Sequence, residues 1–503
     1  MKSSLNKGLF LLLLTFKPLG AEPIQLIPKT PGSQPVVSSQ LPPLEATGFW
    51  EGTPPSLIET YLSKIPIRLT SRTLRKLRAD LLKEKYAPLL KNLSYETMVY
   101  SLLTETGLFT EAKDFLVESN LGEKDSRLIN IQWMEGEPKK ACDKIANLIR
   151  TSPSPEWKKQ NIYCLYLNGE GERGKVAAEL LRESNPNDFI LMNALFDASL
   201  KVPLESSITA SPFSLSVWAS SGQELSEASL NSLSPSGLSI IARSDKMPFK
   251  TRLFAALKAY EEGFMNAETL DNLLKASPSD DLLVSLKEAK NDKLIPLLEK
   301  AHQDHKLGLY LAILKAKIEP SQETLGLAPL MIRAYLQAGD KDMAQKWSTL
   351  FMREAPDEAI GLLPLLHLAF PQTKWGESQL QAWQAYQSRM HPQQAAERSY
   401  EVREILTALG ETPGPAMKGE PTKYSWRTEK GLFDEKALDL LESAALSKRK
   451  GEVLLLTLIL TGDWPLKDIS AYKFVRLLGA LHKGGFATEA RELALEYLLS
   501  KEL

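Results

Sequence analysis

The sequence predicts an all-α protein built from helical hairpins. Apolar residues recur at spacings of three and four along most of the chain, as in Leu74, Leu77 and Leu81, which is the pattern of an amphipathic helix. These helical stretches of roughly 10–16 residues are separated by short turns, and alternating strand patterns bounded by hairpin signals are nearly absent. The chain is 43% hydrophobic and 24% charged, so it has enough apolar surface to build a core.

The first 21 residues have the three parts of a secretory signal. Lys2 and Lys7 precede an apolar run from Leu9 to Phe16, and small residues end the segment at Ala21. The apolar run is shorter than the roughly 20 residues that span a bilayer, and no cysteine follows it to carry a lipid. We expect cleavage near Ala21 and a soluble mature protein. Because the signal is bacterial in style, we expect that protein in the periplasm.

A Pro-rich leader follows at residues 22–48. Its six prolines stand among Ser, Thr and Gln, a composition that forms neither a helix nor a central strand. Helical structure is predicted to begin at Thr53 and Pro54, because a threonine caps a helix and a proline is tolerated at its first position. Pro66 ends this first helix.

Residues 199–250 interrupt the regular pattern of longer helices. Serines and prolines are frequent there, but apolar residues such as Phe213, Val217, Trp218 and Ile241 recur among them. A flexible linker would lack such residues. We therefore predict short helices with serine and proline caps in this segment.

A glycine lies five residues before an alanine at four places in the chain. These pairs are Gly107–Ala112, Gly136–Ala141, Gly339–Ala344 and Gly485–Ala490, and a proline follows the glycine by seventeen residues at Pro153 and Pro356. A glycine accommodates the left-handed conformation at a helix end, an alanine allows close helix approach, and a proline prevents the helix from continuing. The spacing indicates repeated helical hairpins.

This spacing resembles the tetratricopeptide (TPR) repeat, most clearly over residues 325–356. Tyr335, Gly339, Ala344 and Pro356 match the signature positions of that family, whereas Ile332 and Phe351 stand where it usually has small residues. The resemblance implies an α-solenoid, a right-handed superhelix of antiparallel hairpins, with a concave binding surface. Transferred to this chain, the groove positions of the family are Ser101, Thr104, Asn130, Trp133, Arg333, Gln337 and His482.

We predict the following organisation of the chain. Its segments are a signal peptide at 1–21, the leader at 22–48, N-terminal helical hairpins at 49–198, the Ser/Pro-rich segment at 199–250, TPR-like hairpins at 251–409, a loop at 410–431 and a C-terminal helical cap at 432–503. A loop of about 20 residues is often functional or disordered.

One glycine-rich motif at residues 169–176 has the spacing of a phosphate-binding loop. Val176, however, stands where a hydroxyl would bind Mg²⁺, and Glu170 and Glu172 would place carboxylates beside phosphate oxygens. No alternation of strands and helices surrounds it. We therefore interpret the motif as a turn between two helices of one hairpin.

No catalytic or metal-binding site is predicted. Glu299, His302 and His305 share a helix face, but the second Glu-x-x-His of a carboxylate-bridged metal site is missing. The Ser-x-x-Lys spacings at 447–450 and 470–473 lack the companion motifs of acylating serines. We expect no cofactor.

A basic stretch runs from Arg68 to Lys91. It could dock an acidic partner or an anionic membrane surface, and a solvated helix face is the alternative that we favour. The net charge of the whole chain is −1, so no global field attracts nucleic acid, and we expect no nucleic-acid partner.

The two cysteines of the chain, Cys142 and Cys164, lie at equal distances from the predicted turn at Pro153. An oxidising compartment favours a disulfide between them. Packed helix axes are about 8–10 Å apart, however, and a disulfide needs Cα atoms within about 7 Å. A bridge and a pair of buried free thiols both stay open at this point.

With no catalytic signature found, the sequence predicts a binding protein. The function that we expect is a non-enzymatic periplasmic scaffold or adaptor for a protein or peptide partner. The alternative is a protein that acts on or binds cell wall or carbohydrate through a site without a recognisable motif.

Overall fold

The computed structural model of the protein is all-α, as predicted. It describes residues 48–84, 92–122, 124–182, 186–197, 199–204, 208, 211–223, 225–265, 267–276, 281–288, 291–303, 310–311, 318–372, 375–416 and 435–501. This part of the chain is 75% helical and contains no strand. None of its helices is both long and apolar enough to cross a membrane. The signal segment, nearly all of the leader and most of the predicted 410–431 loop lie outside the described residues.

The N-terminal part consists of nine helices within its described ranges. They are α1 Pro55–Leu62, α2 Arg72–Lys83, α3 Leu93–Glu105, α4 Phe109–Glu118, α5 Lys124–Glu135, α6 Pro138–Thr151, α7 Pro155–Leu167, α8 Gly171–Arg182 and α9 Pro186–Asn193. Consecutive helices pack as the pairs α3/α4, α5/α6 and α7/α8. Each pair turns at a glycine with positive φ, namely Gly107, Gly136 or Gly169, where a side chain would strain the backbone.

The Ser/Pro-rich segment forms short helices whose first turns are capped by serines. The helices of the middle of the chain are α10 Pro212–Ser220, α11 Glu227–Ser232, α12 Pro235–Arg243, α13 Phe249–Glu261, α14 Ala267–Ala276, α15 Asp281–Glu288 and α16 Asn291–Gln303. The hydroxyls of Ser211, Ser226 and Ser234 accept backbone N–H bonds at the starts of α10, α11 and α12, over 3.1–3.2 Å. Such caps satisfy donors that a helix start leaves unpaired.

The C-terminal part contains the hairpin that resembles a TPR repeat. Its α-helices are α17 Ala328–Ala338, α18 Lys341–Glu354, α19 Pro356–Ala359, α20 Leu363–Ala369, α21 Glu377–Met390, α22 Ala395–Ala408, α23 Glu435–Leu446, α24 Lys450–Thr461, α25 Ala471–Lys483 and α26 Ala487–Ser500. Three 3₁₀ turns accompany them, at Gln322–Leu327, Ile360–Leu362 and Leu466–Asp468. In the α17/α18 hairpin Gly339 has a φ of 84°. Ile332, Ala344 and Phe351 are all buried, so the larger residues become part of the core.

The two ends of the described chain pack against each other. Helix α1 contacts α24, and α2 contacts both α24 and α26. The Gly451 N–H donates to the Phe49 carbonyl over 2.9 Å. One hydrophobic cluster extends from Trp50 to Leu498. A linear array in which each repeat contacts only its neighbours does not predict this closure, and the superhelical course of the hairpins stays a prediction.

Candidate functional site

Helix α3 presents a polar face to solvent along its whole length. The helix begins after Asn92, whose side chain accepts the N–H groups of Ser94 and Tyr95 over 3.0 and 3.4 Å. Ser94, Thr97, Ser101 and Glu105 follow one another at spacings of three and four, so they share one face of the helix. This face is about 16 Å long, because each helical residue rises about 1.5 Å.

A cavity of about 660 Å³ lies between this face and the turn that follows α1. Apolar side chains supply much of its wall, and four hydroxyls and one carboxylate supply the rest. Its lining residues are Ser63, Ile65, Ile67, Leu93, Ser94, Thr97, Met98, Ser101, Leu102 and Glu105. Leu93 is 62% exposed, so it adds an accessible apolar side chain to this wall.

A second cavity, of about 410 Å³, lies on the other side of the same helix face. It is bounded by residues of α3, α5, α10 and α12. They are Thr97, Tyr100, Ser101, Thr104, Glu105, Arg127, Met134, Pro212, Leu215, Ser234, Ser236, Gly237 and Ile240. Thr97, Ser101 and Glu105 line both cavities. The two cavities therefore adjoin each other at these three side chains, and we call the pair of them the α3 cleft.

Two charged side chains border the α3 cleft. The Glu105 carboxylate accepts a hydrogen bond from Ser101 Oγ over 2.9 Å. The Arg127 guanidinium lies 4.9 Å from the centre of the Tyr100 ring, and its Nε donates to the Gly122 carbonyl over 3.3 Å. Among the residues that the structure describes, neither charge forms an ion pair.

Tyr100 is one of the residues that line the second cavity. Its hydroxyl donates to the Arg127 carbonyl over 3.0 Å, and burial raises the pKa of Tyr100 to about 12. Tyr100 therefore stays neutral at physiological pH and contributes an apolar ring with a fixed hydroxyl to the cleft.

Helix α10 packs against the two hairpins that follow the α3/α4 pair. Tyr163 Oη of α7 lies 2.7 Å from Ser220 Oγ of α10 and donates to the Ser216 carbonyl over 3.3 Å. The Trp133 ring of α5 packs 5.6 Å from the Phe213 ring. A third cavity, of about 270 Å³, remains between these elements, with Trp133, Tyr163 and Tyr166 in its wall. Helix α10 therefore covers parts of both α5 and α7.

The structure places four of the transferred groove residues in this region. Ser101 borders both cavities of the α3 cleft, and Thr104 borders the second one while donating to the Tyr100 carbonyl over 3.0 Å. Asn130 is half-buried on α5. Trp133 is only 3% exposed, and its Nε1 donates to Gln160 Oε1 over 3.1 Å. Helix α10 packs on the Trp133 ring, and whether this residue faces a partner stays a prediction.

The other three groove residues lie on elements that do not border the cleft. Arg333 is half-buried and Gln337 is exposed on α17. His482 is half-buried on α25, with its ring beside Gly410. The structure does not bring these three residues together with Ser101 and Thr104. Sequence reasoning also missed Thr97 and Glu105, although their spacing on the polar face of α3 was a usable signal.

The glycine-rich motif lies at a helix–turn–helix junction. Ile162–Leu167 belong to α7, and α8 begins at Gly171. Lys175 Nζ pairs with the Glu172 carboxylate over 2.9 Å, and Val176 is 65% exposed. The helical residues before the turn exclude the strand that a phosphate-binding loop requires.

The possible metal ligands do not form a site in the part of the chain that is described. No group of three or more His, Cys, Asp or Glu side chains there has the geometry to hold a metal ion. Glu299 lies on α16, whereas the His302 side chain and His305 are outside the described residues.

The basic stretch binds other parts of the same chain. Arg75 Nη1 donates to the Glu261 carbonyl at the end of α13 over 2.7 Å. Arg78 Nη1 donates to the Pro66 carbonyl over 2.8 Å, and burial lowers the pKa of Arg78 to about 10. Lys76 Nζ pairs with Glu489 of α26 over 2.9 Å. These three side chains are engaged within the fold, and the residues from 85 to 91 lie outside the described ranges.

A polar cluster links Glu411, which follows α22, to His367 of α20 and Arg491 of α26. His367 Nε2 lies 2.6 Å from Glu411 Oε2. Arg491 pairs with Glu411 and donates to the His367 carbonyl over 3.1 Å. Burial raises the pKa of the Glu411 carboxyl, but the hydrogen bond from His367 and the Arg491 charge outweigh burial and lower it overall. Because its members bond to one another, the cluster links these three segments of the chain.

The two cysteines are joined. The disulfide between Cys142 of α6 and Cys164 of α7 has its Cα atoms 5.5 Å apart. It holds α7, and with it Tyr163, against the preceding hairpin.

The resemblance to the tetratricopeptide repeat stays a prediction. No protein-family model matches the sequence, and neither a curated protein nor a solved structure is detectably similar to it.

Proposed function

We propose that the protein is a non-enzymatic helical-repeat scaffold that binds an extended peptide segment of a partner protein in the α3 cleft. The observation that carries this proposal is that two cavities adjoin along one face of α3, where Thr97, Ser101 and Glu105 line both of them. A concave site with apolar walls and a few polar groups is the usual form of a ligand site.

The walls of the cleft match the chemistry of a peptide. Leu93 and Met98 offer an apolar surface to a side chain. The hydroxyls of Ser94 and Thr97 can donate to and accept from a peptide backbone, since each carries one donor and two acceptor sites. A face of about 16 Å accommodates roughly five residues of an extended chain.

Two observations favour peptide binding over a carbohydrate-acting function. The Trp133 and Tyr163 rings of the third cavity are buried, and Tyr166 in the same wall is half-buried, so this cavity offers little exposed ring surface to a sugar. Burial raises the pKa of Glu262, Glu401 and Asp463, but none of these acids lines the three cavities. A catalytic site would combine such groups with a pocket.

The proposed location is the periplasm, after export through the 1–21 segment. The Cys142–Cys164 disulfide supports this location, because disulfides persist in oxidising compartments. N-terminal sequencing of the purified protein should return a start near Glu22. An intact Met1 in a membrane fraction would contradict the proposal.

Selection from a phage-displayed peptide library on the purified protein tests the binding function. We expect Thr97→Trp, which fills the cleft, to weaken the selected peptides by about tenfold or more, equivalent to about 1.4 kcal/mol. Thr349→Trp, at an exposed position of α18, is the matched control and should bind them normally. A failure to select peptides, or equal binding by Thr97→Trp, would refute the site.

A further inference from the structure

We propose that the α3 cleft selects extended peptide segments in which an apolar, an acidic and a basic side chain stand at alternate positions, in the order apolar–x–acidic–x–basic or its reverse. This inference rests on the proposed function of the cleft and adds the chemical class of its ligand. Its basis is the order in which apolar and charged side chains occur along α3.

The first cavity supplies the apolar position. Leu93 and Met98 lie in its wall, where Leu93 is 62% exposed and Met98 is half-buried. Glu105 is the only charged residue among the described residues that line this cavity, and it lies about 10 Å beyond Met98 along the helix axis. The end of the cleft near Leu93 therefore favours an apolar side chain, because a charge buried there would lack a counter-ion.

The second cavity supplies two charged positions of opposite sign. Arg127 and Glu105 are both half-buried and are the only charged residues among the described residues that line it. The Arg127 guanidinium lies 4.9 Å from the centre of the Tyr100 ring, so it stands at about the level of Tyr100 along α3. The Ser101 hydroxyl donates to the Glu105 carboxylate over 2.9 Å, which holds this charge on the cleft face.

Charge complementarity assigns the ligand groups at these two positions. A carboxylate forms strong hydrogen bonds with a guanidinium, and an ammonium or guanidinium does so with a carboxylate. An acidic side chain is therefore favoured beside Arg127 and a basic one beside Glu105. The opposite arrangement would place like charges together, which costs affinity.

The spacing of the three positions matches alternate residues of an extended chain. Residues i and i+2 of a strand face the same side and are about 6.6 Å apart. Tyr100, which marks the level of Arg127, and Glu105 are about 7.5 Å apart along the helix axis, and the wall formed by Leu93 and Met98 lies roughly 3–10 Å on the other side of Tyr100. Three alternate side chains thus span the face of about 16 Å.

Selection from a random heptapeptide library displayed on phage tests the inference. On the wild-type protein, we expect an apolar residue, Asp or Glu, and Lys or Arg at successive spacings of two. On Glu105→Lys, an acidic residue should replace the basic one, and on Arg127→Glu a basic residue should replace the acidic one. Selected peptides without this pattern would overturn the inference, and so would a spacing of four, which is that of a helical ligand.

A reciprocal exchange of charge measures the contact with Glu105. For a peptide selected on the wild type, Glu105→Lys should raise the Kd at low salt by about tenfold, because an attraction becomes a repulsion. Replacing the basic residue of the peptide by Glu should restore binding to this variant. Asp114→Lys, at an exposed site of α4, is the control and should leave the Kd unchanged.

Equal binding of both peptides by the wild type and by Glu105→Lys would overturn the inference. If urea unfolding shows that Glu105→Lys is not folded, Glu105→Gln decides instead. This variant keeps the shape of the side chain and removes its charge, so it should weaken the wild-type peptide by about threefold and bind both peptides alike.

The two proposals can fail separately. If Thr97→Trp abolishes peptide binding while the charges of the selected peptides stay the same in Glu105→Lys and Arg127→Glu, the binding function stands and the charge selectivity is refuted. If the wild type selects no peptide, or Thr97→Trp binds the peptides equally well, the proposed function fails and the selectivity fails with it.

Discussion

Glu401 shows how burial changes the properties of a single residue. Its side chain is only 7% exposed, and Tyr497 Oη donates to Glu401 Oε1 over 2.6 Å. Burial raises the pKa of the carboxyl, and the hydrogen bond from Tyr497 offsets only part of this effect. The folded protein therefore binds this proton more tightly than the unfolded chain does.

Glu401→Gln should stabilise the protein at neutral pH. A raised pKa in the folded state means that stability falls as pH rises from the unfolded value of about 4.3 through the folded value, by about 1.4 kcal/mol per pKa unit. The amide keeps an acceptor for Tyr497 and carries no charge to bury. Urea unfolding at pH 7 and at about pH 4 measures the effect: the difference from wild type should be smaller at the lower pH, and a less stable variant at pH 7 would contradict the argument.

Lys175→Ala should change the free energy of unfolding by less than about 0.5 kcal/mol, as is usual for surface positions. Lys175 lies in the first turns of α8, where its ion pair with Glu172 is between two exposed residues. Denaturant unfolding checks the stability. Binding of ATP or NAD by the wild type that is lost in this variant would show that the glycine-rich motif is a real site.

At the scale of elements, the disulfide shows that Cα atoms on two packed helices can lie closer together than the helix axes do. Cys142 is on α6 and Cys164 on α7, and their Cα atoms are 5.5 Å apart, whereas packed axes are about 8–10 Å apart. Both residues are buried, so each lies on the side of its helix that faces the other. Equal distances from the turn near Pro153 bring them to the same depth.

Reducing this disulfide should lower the free energy of unfolding by about 3 kcal/mol, the chain-entropy value for a loop of about 20 residues. Urea unfolding with and without reductant measures the effect. The double variant Cys142→Ala/Cys164→Ala is the control and should not respond to reductant. Titration of the denatured, unreduced protein should find no free thiol, and two free thiols would exclude the bridge.

At the scale of the whole molecule, α26 supplies a hydrogen-bond acceptor to the N-terminus of α2. Glu496 of α26 accepts the Thr73 N–H over 2.9 Å and the hydroxyls of Ser71 and Thr73 over 2.6 and 2.8 Å. A carboxylate at a helix N-terminus also interacts favourably with the helix dipole. Residues more than 420 positions apart thus share one hydrogen-bonded cap.

Glu496→Ala should destabilise the protein by about 2–3 kcal/mol, because hydrogen bonds to charged groups contribute about 1.5–3 kcal/mol and the donors of α2 lose their acceptor. Glu489→Ala is the matched control. It removes an ion pair with Lys76, which is 60% exposed, and should cost less than about 1 kcal/mol.

Hydrogen exchange and urea unfolding distinguish these outcomes. In Glu496→Ala, protection should fall in both α2 and α26, because each helix stabilises the other. Loss of protection in α26 alone would show that the two ends of the chain do not depend on each other.

The sequence by itself determined the helices and their turns. Apolar spacing predicts an amphipathic helix from residues three or four apart, and glycines such as Gly107 and Gly339 mark turns that adopt positive φ in the structure. Serine caps act within three residues of the helix start. These signals are local, so a single segment contains all the information they need. Export, the superhelical course and the partner stay predictions.

Only the tertiary structure decided which faces are covered. Phe213 of α10 covers Trp133, so one predicted groove residue is in the core, whereas Thr97 and Glu105 border an open cleft. Periodicity shows that a helix has an apolar face but not what packs on it, because apolar burial is non-directional and any apolar surface can supply it. The cleft and the closure of the two chain ends arise from contacts between segments distant in sequence, which local patterns do not specify.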